Sequence, residues 1–244
     1  MALVSVPNFD PARSGFSFPN TFAAVPTWRL AIPLLGEFTL GNAANGLCGG
    51  MVFAAADFHT YQMPTPADAT PPRAGSLFTY IGERLLASFD LPLGPARYYD
   101  WMRSDDAAVA ARTREAWPVI KAALDAGKVT PLGVVRTKSD KLEDLKVNHQ
   151  VLAYGYEIDA STGALALAVY DPNYPGQAVT FSCNLNPGPF ALTSSHPGLV
   201  RGFFATPYFP RDPRFLMRAQ TPARSPLSWL GALLSGLRGL LGLR

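Results

Sequence analysis

The most informative segment of the sequence is Asn42-Ala43-Ala44-Asn45-Gly46-Leu47-Cys48-Gly49-Gly50-Met51, which is followed by the apolar run Val52-Phe53-Ala54-Ala55-Ala56. It predicts a glycine-rich turn that brings Cys48 to the start of a buried helix. The free N–H groups and the dipole at a helix start stabilise negative charge, so this cysteine is biased towards the thiolate, its nucleophilic form. The alternative is a buried structural cysteine in a tight turn, because free cysteines are among the most buried residues.

The composition indicates a globular protein from a reducing compartment. Of the 244 residues, 48% are hydrophobic and 16% are charged, which suits a sizeable core and excludes a disordered chain. The two cysteines, Cys48 and Cys183, are too few for a disulfide framework. The N-terminus lacks the basic segment and long apolar core of a signal peptide. We therefore expect a cytoplasmic protein.

The charge is distributed unevenly along the chain. From Arg201 onward there are seven arginines and a single acid, Asp212, whereas the first 200 residues are slightly acidic. A near-neutral body with a basic tail suggests an acidic surface as the partner of the tail. The pattern argues against a nucleic-acid groove across the body, so we expect no nucleic-acid partner.

The first half of the chain carries helical patterns after a proline-rich start. Prolines and aromatic residues in 1–40 predict extended segments that are pinned to the body by their rings. The helix that begins at Cys48 is predicted to end near Phe58-His59. Apolar spacing predicts a second helix from Ser76 to about Ser88, and Ser104-Asp105-Asp106 predicts the cap of a third, which ends around residues 124–127.

The second half reads as strands. Alternating or continuous apolar runs and turn residues predict the following segments: strands at 129–135, 150–158, 164–170 and 177–183, with a turn at 159–163. Helices followed by antiparallel strands indicate an α+β fold.

The predicted hairpin places a histidine beside an aspartate. His149 stands at the start of its first strand and Asp171 at the end of its second, and an antiparallel hairpin brings these two ends together. Asp171 could then fix the tautomer of His149, and His149 could form a thiolate–imidazolium pair with Cys48. Asn173 is an alternative orienting residue. The segment 171–176 could equally be a plain turn, because its residue types are common turn formers.

These ordered motifs resemble the papain-like cysteine peptidase superfamily. The motifs are Gly-Leu-Cys-Gly-Gly-Met at 46–51, His-Gln-Val-Leu-Ala-Tyr-Gly-Tyr at 149–156 and Val-Tyr-Asp-Pro-Asn at 169–173. Within the superfamily the likeness is greatest to the double-glycine leader peptidase branch, in which an aspartate of an Asp-Pro pair is the third member. The resemblance implies a papain-like domain over 1–205, in which the N-terminal helical part, with the nucleophile helix, packs on an antiparallel sheet.

The resemblance also implies the roles of individual residues. It implies a catalytic Cys-His-Asp triad at Cys48, His149 and Asp171. The family has an oxyanion-hole glutamine six residues before the cysteine, a position that is Asn42 here, and Asn45 lies three residues before it. Either carboxamide could act with the Cys48 N–H group. The leader peptidases of the family are usually fused to transporters, and this chain has no transporter segment.

The C-terminal part carries a separate pattern. Residues 206–226 are rich in proline and arginine, which indicates a linker or a surface strap. Leucines at intervals of three and four over 227–244 predict an amphipathic helix. Its apolar face could dock on the body or on a partner subunit, or it could lie on an anionic membrane surface as a peripheral anchor. A membrane span is not expected, because the segment is short of the roughly 20 residues needed.

The function expected from these features is thiol hydrolysis of a peptide or amide bond through an acyl-enzyme intermediate. Two alternatives remain: acyl transfer by the same triad, as in transglutaminase-like members of the superfamily, and a catalytically silent protein that uses its C-terminal helix for binding. No cofactor or metal is expected. Cys183 is expected to be buried and inert, His196 to lie in a loop, and His59, with Asp57, to lie at the surface.

Overall fold

A computed structural model gives the structure of the protein, which is described for residues 2–24, 28–32, 36–40 and 46–218. The helices are α1 Pro11–Ser14, α2 Cys48–Thr60, α3 Ser76–Ser88, α4 Leu93–Arg103, α5 Asp106–Asp125 and α6 Phe215–Arg218, with a 3-10 helix at Leu142–Val147. The strands are β1 Ala2–Ser5, β2 Trp28–Ile32, β3 Gly36–Leu40, β4 Thr130–Val135, β5 His149–Ile158, β6 Ala164–Tyr170, β7 Val179–Asn184, β8 Thr193–Ser194 and β9 Gly202–Ala205. The fold is α+β.

The described strands of the second half form one antiparallel sheet around β5. Its order is β8-β7-β6-β5-β4-β9, and β1 also pairs with β5. The first half of β5 pairs with β4, from His149 opposite Val134, and its second half pairs with β1. On its other side β5 pairs with β6, with a register shift between Ala153 and Gly155. Strands β2 and β3 form a separate antiparallel pair.

Helix α2 is buried on all its faces. Every residue from Gly49 to Phe58 is buried, which explains why its sequence shows no polar stripe. A side chain at Gly50 would collide with the backbone carbonyl of Ile81 in α3, so the glycine allows the two helices to approach closely. With α3 packed against it and β5 beside it, α2 holds its first residue, Cys48, at a fixed place next to the sheet.

The N-terminal strap, residues 3–24, is pinned to the body by aromatic side chains as the sequence predicts. Phe16 and Phe18 are fully buried, and the Phe16 ring meets that of Phe58 in α2 edge-to-face, 6.2 Å apart. The backbone N–H of Phe16 donates to the hydroxyl of Tyr170, the last residue of β6, at 3.2 Å. The strap therefore crosses from α2 to the end of the β5–β6 hairpin.

A buried carboxylate holds the segment that follows β9. Asp57 of α2 is fully buried, so the expectation that this part of the helix faces solvent is wrong, and His59 is half-buried against the ring of Phe9. Asp57 pairs with Arg84 at 2.7 Å and accepts hydrogen bonds from the hydroxyl of Tyr208 at 2.8 Å and the N–H of Arg211 at 2.8 Å. The carboxylate can be buried because each of its oxygens has a hydrogen-bond or ion-pair partner.

The chain divides into two compact units, Met1–Pro213 and Arg214–Arg244. The first includes residues 206–213 of the predicted linker or strap. In the second, only α6 is described, and the predicted helix at 227–244 lies outside the described residues. Within the described ranges, no helix is both long and apolar enough to cross a membrane.

Candidate active site

Cys48 is the first residue of α2 and is half-buried. Gly46 adopts φ +89° just before it, a left-handed conformation that favours glycine. The first helical hydrogen bond of α2 runs from the Met51 N–H to the Leu47 carbonyl at 2.9 Å. The N–H groups of Cys48 and of the two glycines after it precede that bond, so they have no acceptor within the helix and point out at its start.

His149 and Asp171 lie side by side at one end of the β5–β6 hairpin. The Nε2 atom of His149 is 2.7 Å from the Oδ1 atom of Asp171, and both side chains are buried. β5 begins at His149 and β6 ends at Tyr170, one residue before the aspartate. The hairpin therefore brings these two groups to the same end of the sheet, as their spacing in the sequence predicts.

His149 also reaches the cysteine. Its side chain lies close enough to Cys48 for the two groups to change each other's pKa, and because Asp171 occupies Nε2, the nitrogen left for the sulfur is Nδ1. The backbone of Gln150 also lowers the pKa of the sulfur. The carbonyl of His149 accepts a hydrogen bond from the hydroxyl of Tyr98 in α4 at 3.0 Å. The structure thus brings together Cys48, His149 and Asp171, the three residues of the predicted triad.

The electrostatics of the site favour a thiolate–imidazolium pair. Burial alone would raise the pKa of Cys48, but the charge of His149 and the hydrogen bond to it outweigh that effect and lower the pKa. Burial would likewise lower the pKa of His149, but the charge of Cys48 and the hydrogen bond to Asp171 raise it to about 9. An imidazolium that persists to such a pH favours the ionised form of its partner sulfur.

Asp171 is held as a carboxylate from several sides. Burial would raise its pKa, but the hydrogen bond and charge of His149 lower it. Its Oδ1 atom also accepts the backbone N–H of Asn173 at 2.9 Å. Its Oδ2 atom lies 3.9 Å from the Nη2 atom of Arg136, whose side chain is only 21% exposed. The aspartate can therefore hold the imidazole without taking its proton.

The alternative orienting residue, Asn173, is close to the histidine but farther than Asp171. Its Nδ2 atom is 3.4 Å from the Nε2 atom of His149. Its Oδ1 atom accepts a hydrogen bond from Nδ2 of Asn20 at 3.2 Å. The geometry gives the main contact with the imidazole to Asp171, and it places Asn173 between that contact and the N-terminal strap.

The remaining predicted residues lie elsewhere. Asn42 and Asn45, the predicted oxyanion-hole residues, lie outside the described residues. Cys183 is buried in β7, where burial raises the pKa of its thiol to about 11. His196 lies in the loop after β8 and contacts Gln177 at 2.9 Å. In the described part of the chain, no cluster of three metal-ligating side chains occurs.

Sequence reasoning missed three residues around the site: Asn20, Tyr98 and Arg136. Each comes from a separate segment of the chain, and none stands in a recognisable motif. Only Asn20 had a weak signal, because it ends the run Phe16-Ser17-Phe18-Pro19, whose rings predict a segment fixed on the body.

No family model, curated protein or solved structure matches the chain.

Proposed function

We propose that the protein is a thiol hydrolase with a papain-like arrangement, which cleaves a peptide or amide bond. One observation carries the proposal: His149 is paired with Asp171 at 2.7 Å and at the same time acts electrostatically on Cys48. This arrangement links a nucleophile, a base and an orienting carboxylate, which are the parts that acyl transfer by a cysteine requires. The altered pKa values of Cys48 and His149 support the same reading, because both favour the reactive ion pair.

The reaction begins with attack of the Cys48 thiolate on the substrate carbonyl. A carbon–sulfur bond forms and the carbonyl electrons move to oxygen. When the tetrahedral intermediate collapses, the carbon–nitrogen bond breaks and His149 gives its proton to the departing amine. The now neutral His149 takes a proton from water, which attacks the thioester. The carbon–sulfur bond then breaks, the acid is released, and the thiolate–imidazolium pair is restored.

The start of α2 supplies a place for the developing oxyanion. The free N–H of Cys48 lies at the positive end of the helix dipole, where negative charge on the substrate oxygen is stabilised. Asn42 and Asn45 are proposed as the second donor on the resemblance alone. Gly49 and Gly50 face the interior, where a Cβ atom would collide with the Ser88 side chain and with the Ile81 carbonyl respectively.

The proposal is tested with a peptide library of broad sequence and mass spectrometry of the new termini. Wild type and Cys183→Ala are expected to produce the same new termini, and Cys48→Ala to produce none while keeping the same thermal unfolding midpoint. Cys183→Ala is the matched control, because it also removes a thiol but one that lies in β7. Cleavage that persists in Cys48→Ala would contradict the proposal. A product that carries an added amine instead of water would reassign the site to acyl transfer.

A further inference from the structure

We propose that Asn20 of the N-terminal strap is a positioning residue, whose carboxamide fixes the start of the Cys48 helix against the turn that bears Asp171. The inference rests on the proposed function, because what it positions is the proposed nucleophile and the residue that orients its base. Asn20 is half-buried, and it stands 28 residues before the cysteine in a segment that carries no catalytic motif.

On the nucleophile side, the carboxamide binds the residue just before Cys48. The N–H of Leu47 donates to the Oδ1 atom of Asn20 at 2.6 Å. A Cβ atom at Gly46 would lie 2.5 Å from the Nδ2 atom of Asn20, so the carboxamide fills the space that any side chain at 46 would need. Asn20 thereby fixes both residues that lead the chain into α2.

On the side of Asp171, Asn20 makes two hydrogen bonds to the turn after β6. Its backbone N–H donates to the carbonyl of Pro172 at 3.0 Å, and its Nδ2 atom donates to the Oδ1 atom of Asn173 at 3.2 Å. Asn173 in turn donates its N–H to Asp171 and approaches the ring of His149. A single side chain therefore links the two halves of the site by hydrogen bonds.

The chemistry of the carboxamide suits this role. It accepts at Oδ1 from the helix side and donates at Nδ2 to the turn side, and a planar amide offers both functions at a fixed angle. The strap behind it is held by the buried rings of Phe16 and Phe18. Because its anchor is rigid, the carboxamide can restrain the two segments that it joins.

Asn20 carries no charge, so it acts on the ion pair through geometry. The charged groups that face His149 are Cys48 from α2 and Asp171 from the turn, with Arg136 behind the carboxylate. Removal of Asn20 changes none of these charges. A change in the pH dependence of Cys48 would therefore report a change in the distance or angle between the sulfur and the imidazole.

The experiment measures the alkylation rate of Cys48 by iodoacetamide from about pH 5 to about pH 10, for wild type, Asn20→Ala and Asn186→Ala. Asn186 is a matched control. Its side chain also packs on a left-handed glycine, Gly163, and bonds to the Thr162 carbonyl, but at the opposite end of the hairpin. Alkylation of the buried Cys183, followed in the same sample, reports any loss of folding.

We expect Asn20→Ala to react about tenfold more slowly than wild type near pH 7, with a profile moved towards the ordinary cysteine value of about 8.5. Asn186→Ala should follow the wild-type profile. In the double variant Asn20→Ala/Asn173→Ala, the alkylation rate of Cys48 should fall by less than the product of the factors for the two single variants. The reason is that both residues act in one hydrogen-bonded chain.

Three results separate the outcomes. A folded Asn20→Ala with the wild-type profile would overturn the positioning role and leave the proposed function intact. A wild-type Cys48 that titrates like an ordinary thiol would overturn the proposed function and the positioning role together. If Cys183 becomes labelled in Asn20→Ala, Asn20→Ser takes its place, and a wild-type profile in that folded variant would overturn the positioning role.

Discussion

The Nε2 atom of His149 lies 2.7 Å from the Oδ1 atom of Asp171, although the two residues are 22 positions apart in the chain. The β5–β6 hairpin brings the two residues to the same end of the sheet, since one residue begins the first strand and the other follows the second. The proposed base and its orienting carboxylate thus come from one hairpin. Cys48, the proposed nucleophile, comes from the start of α2, which packs beside β5.

The first prediction concerns the reactivity of Cys48 when its base is removed. In His149→Ala the charge and hydrogen bond that lower the pKa of Cys48 are gone, whereas the effect of burial, which raises it, remains. The midpoint of the alkylation profile should therefore lie at a higher pH than in wild type, and above the ordinary cysteine pKa of about 8.5. The check is the rate of reaction with iodoacetamide as a function of pH, and His196→Ala is the control. An unchanged profile would show that the imidazole does not govern the sulfur.

The second prediction concerns the pH dependence of hydrolysis. On the acid side, activity should fall as the pH drops through the lowered pKa of Cys48, because the sulfur becomes a neutral thiol. On the alkaline side, it should fall as the pH rises through about 9, where His149 loses the proton that the leaving amine needs. A kcat/KM profile measured on a cleaved library peptide checks both limbs. An alkaline limb near the ordinary histidine value of about 6.5 would contradict the ion pair.

The third prediction concerns the orienting carboxylate. Asp171→Asn should lower kcat/KM by about 10²- to 10⁴-fold, because the amide can bind the imidazole without stabilising its positive charge. Asp159→Asn is the control: it removes one negative charge at the turn that closes the other end of the hairpin, where Asp159 binds Ser161. Steady-state kinetics of the two variants check it. Near-wild-type activity of Asp171→Asn would indicate that Asn173, and not Asp171, orients the imidazole.

The fourth prediction concerns Arg136, whose charge helps to lower the pKa of Asp171. In Arg136→Gln that pKa should rise, so Asp171 becomes protonated at a higher pH and stabilises the imidazolium less. The acid limb of kcat/KM, which Cys48 sets, then moves upward because the imidazolium lowers the pKa of that sulfur. At a distance of 3.9 Å the expected loss on that limb is about two- to tenfold. Arg112→Gln, which breaks the ion pair with Asp100, should leave the limb in place. Equal pH profiles of kcat/KM for the two variants would mean that Arg136 has no effect on the ionisation of the site.

The fifth prediction concerns stability rather than chemistry. Asp57→Ala should lower the free energy of unfolding by about 3–5 kcal/mol, because it leaves the buried guanidinium of Arg84 without its partner. Asp100→Ala breaks a more exposed ion pair, with Arg112, and should cost less than about 1 kcal/mol. Urea denaturation of both variants checks the difference. Similar midpoints would mean that the hydrogen bonds around Asp57 contribute little to holding the segment after β9.

Local patterns in the sequence were enough to predict many of the helices and strands. Helix α3 and strand β6 have the predicted bounds, since apolar spacing and turn residues act within a few positions. Helix α4, Leu93–Arg103, was not predicted, because Pro92, Gly94 and Pro95 suggest a loop. Proline is tolerated in the first turn of a helix, where its missing N–H has no helical acceptor. The packing of α4 against β4 then stabilises what the local sequence leaves undecided.

In the candidate site, too, some contacts could be predicted from local sequence patterns and others could not. The His149–Asp171 contact follows from the length of one hairpin, so spacing alone could predict it. The contacts of Asn20 and Arg136 depend on where distant segments cross, and no local pattern encodes that crossing. Helix α2 is an intermediate case. Its buried character could be predicted from its apolar run, but the burial of Asp57 required partners from α3 and from residues after β9.

The order of the parts along the chain has a consequence during protein synthesis. The segment with Cys48 leaves the ribosome about a hundred residues before His149, and Asp171 follows later still. Domains fold as units once enough chain has emerged, so the emerging polypeptide carries Cys48 before it carries His149 or Asp171. The proposed ion pair can therefore form only after the hairpin has been made and the sheet has closed on the helix.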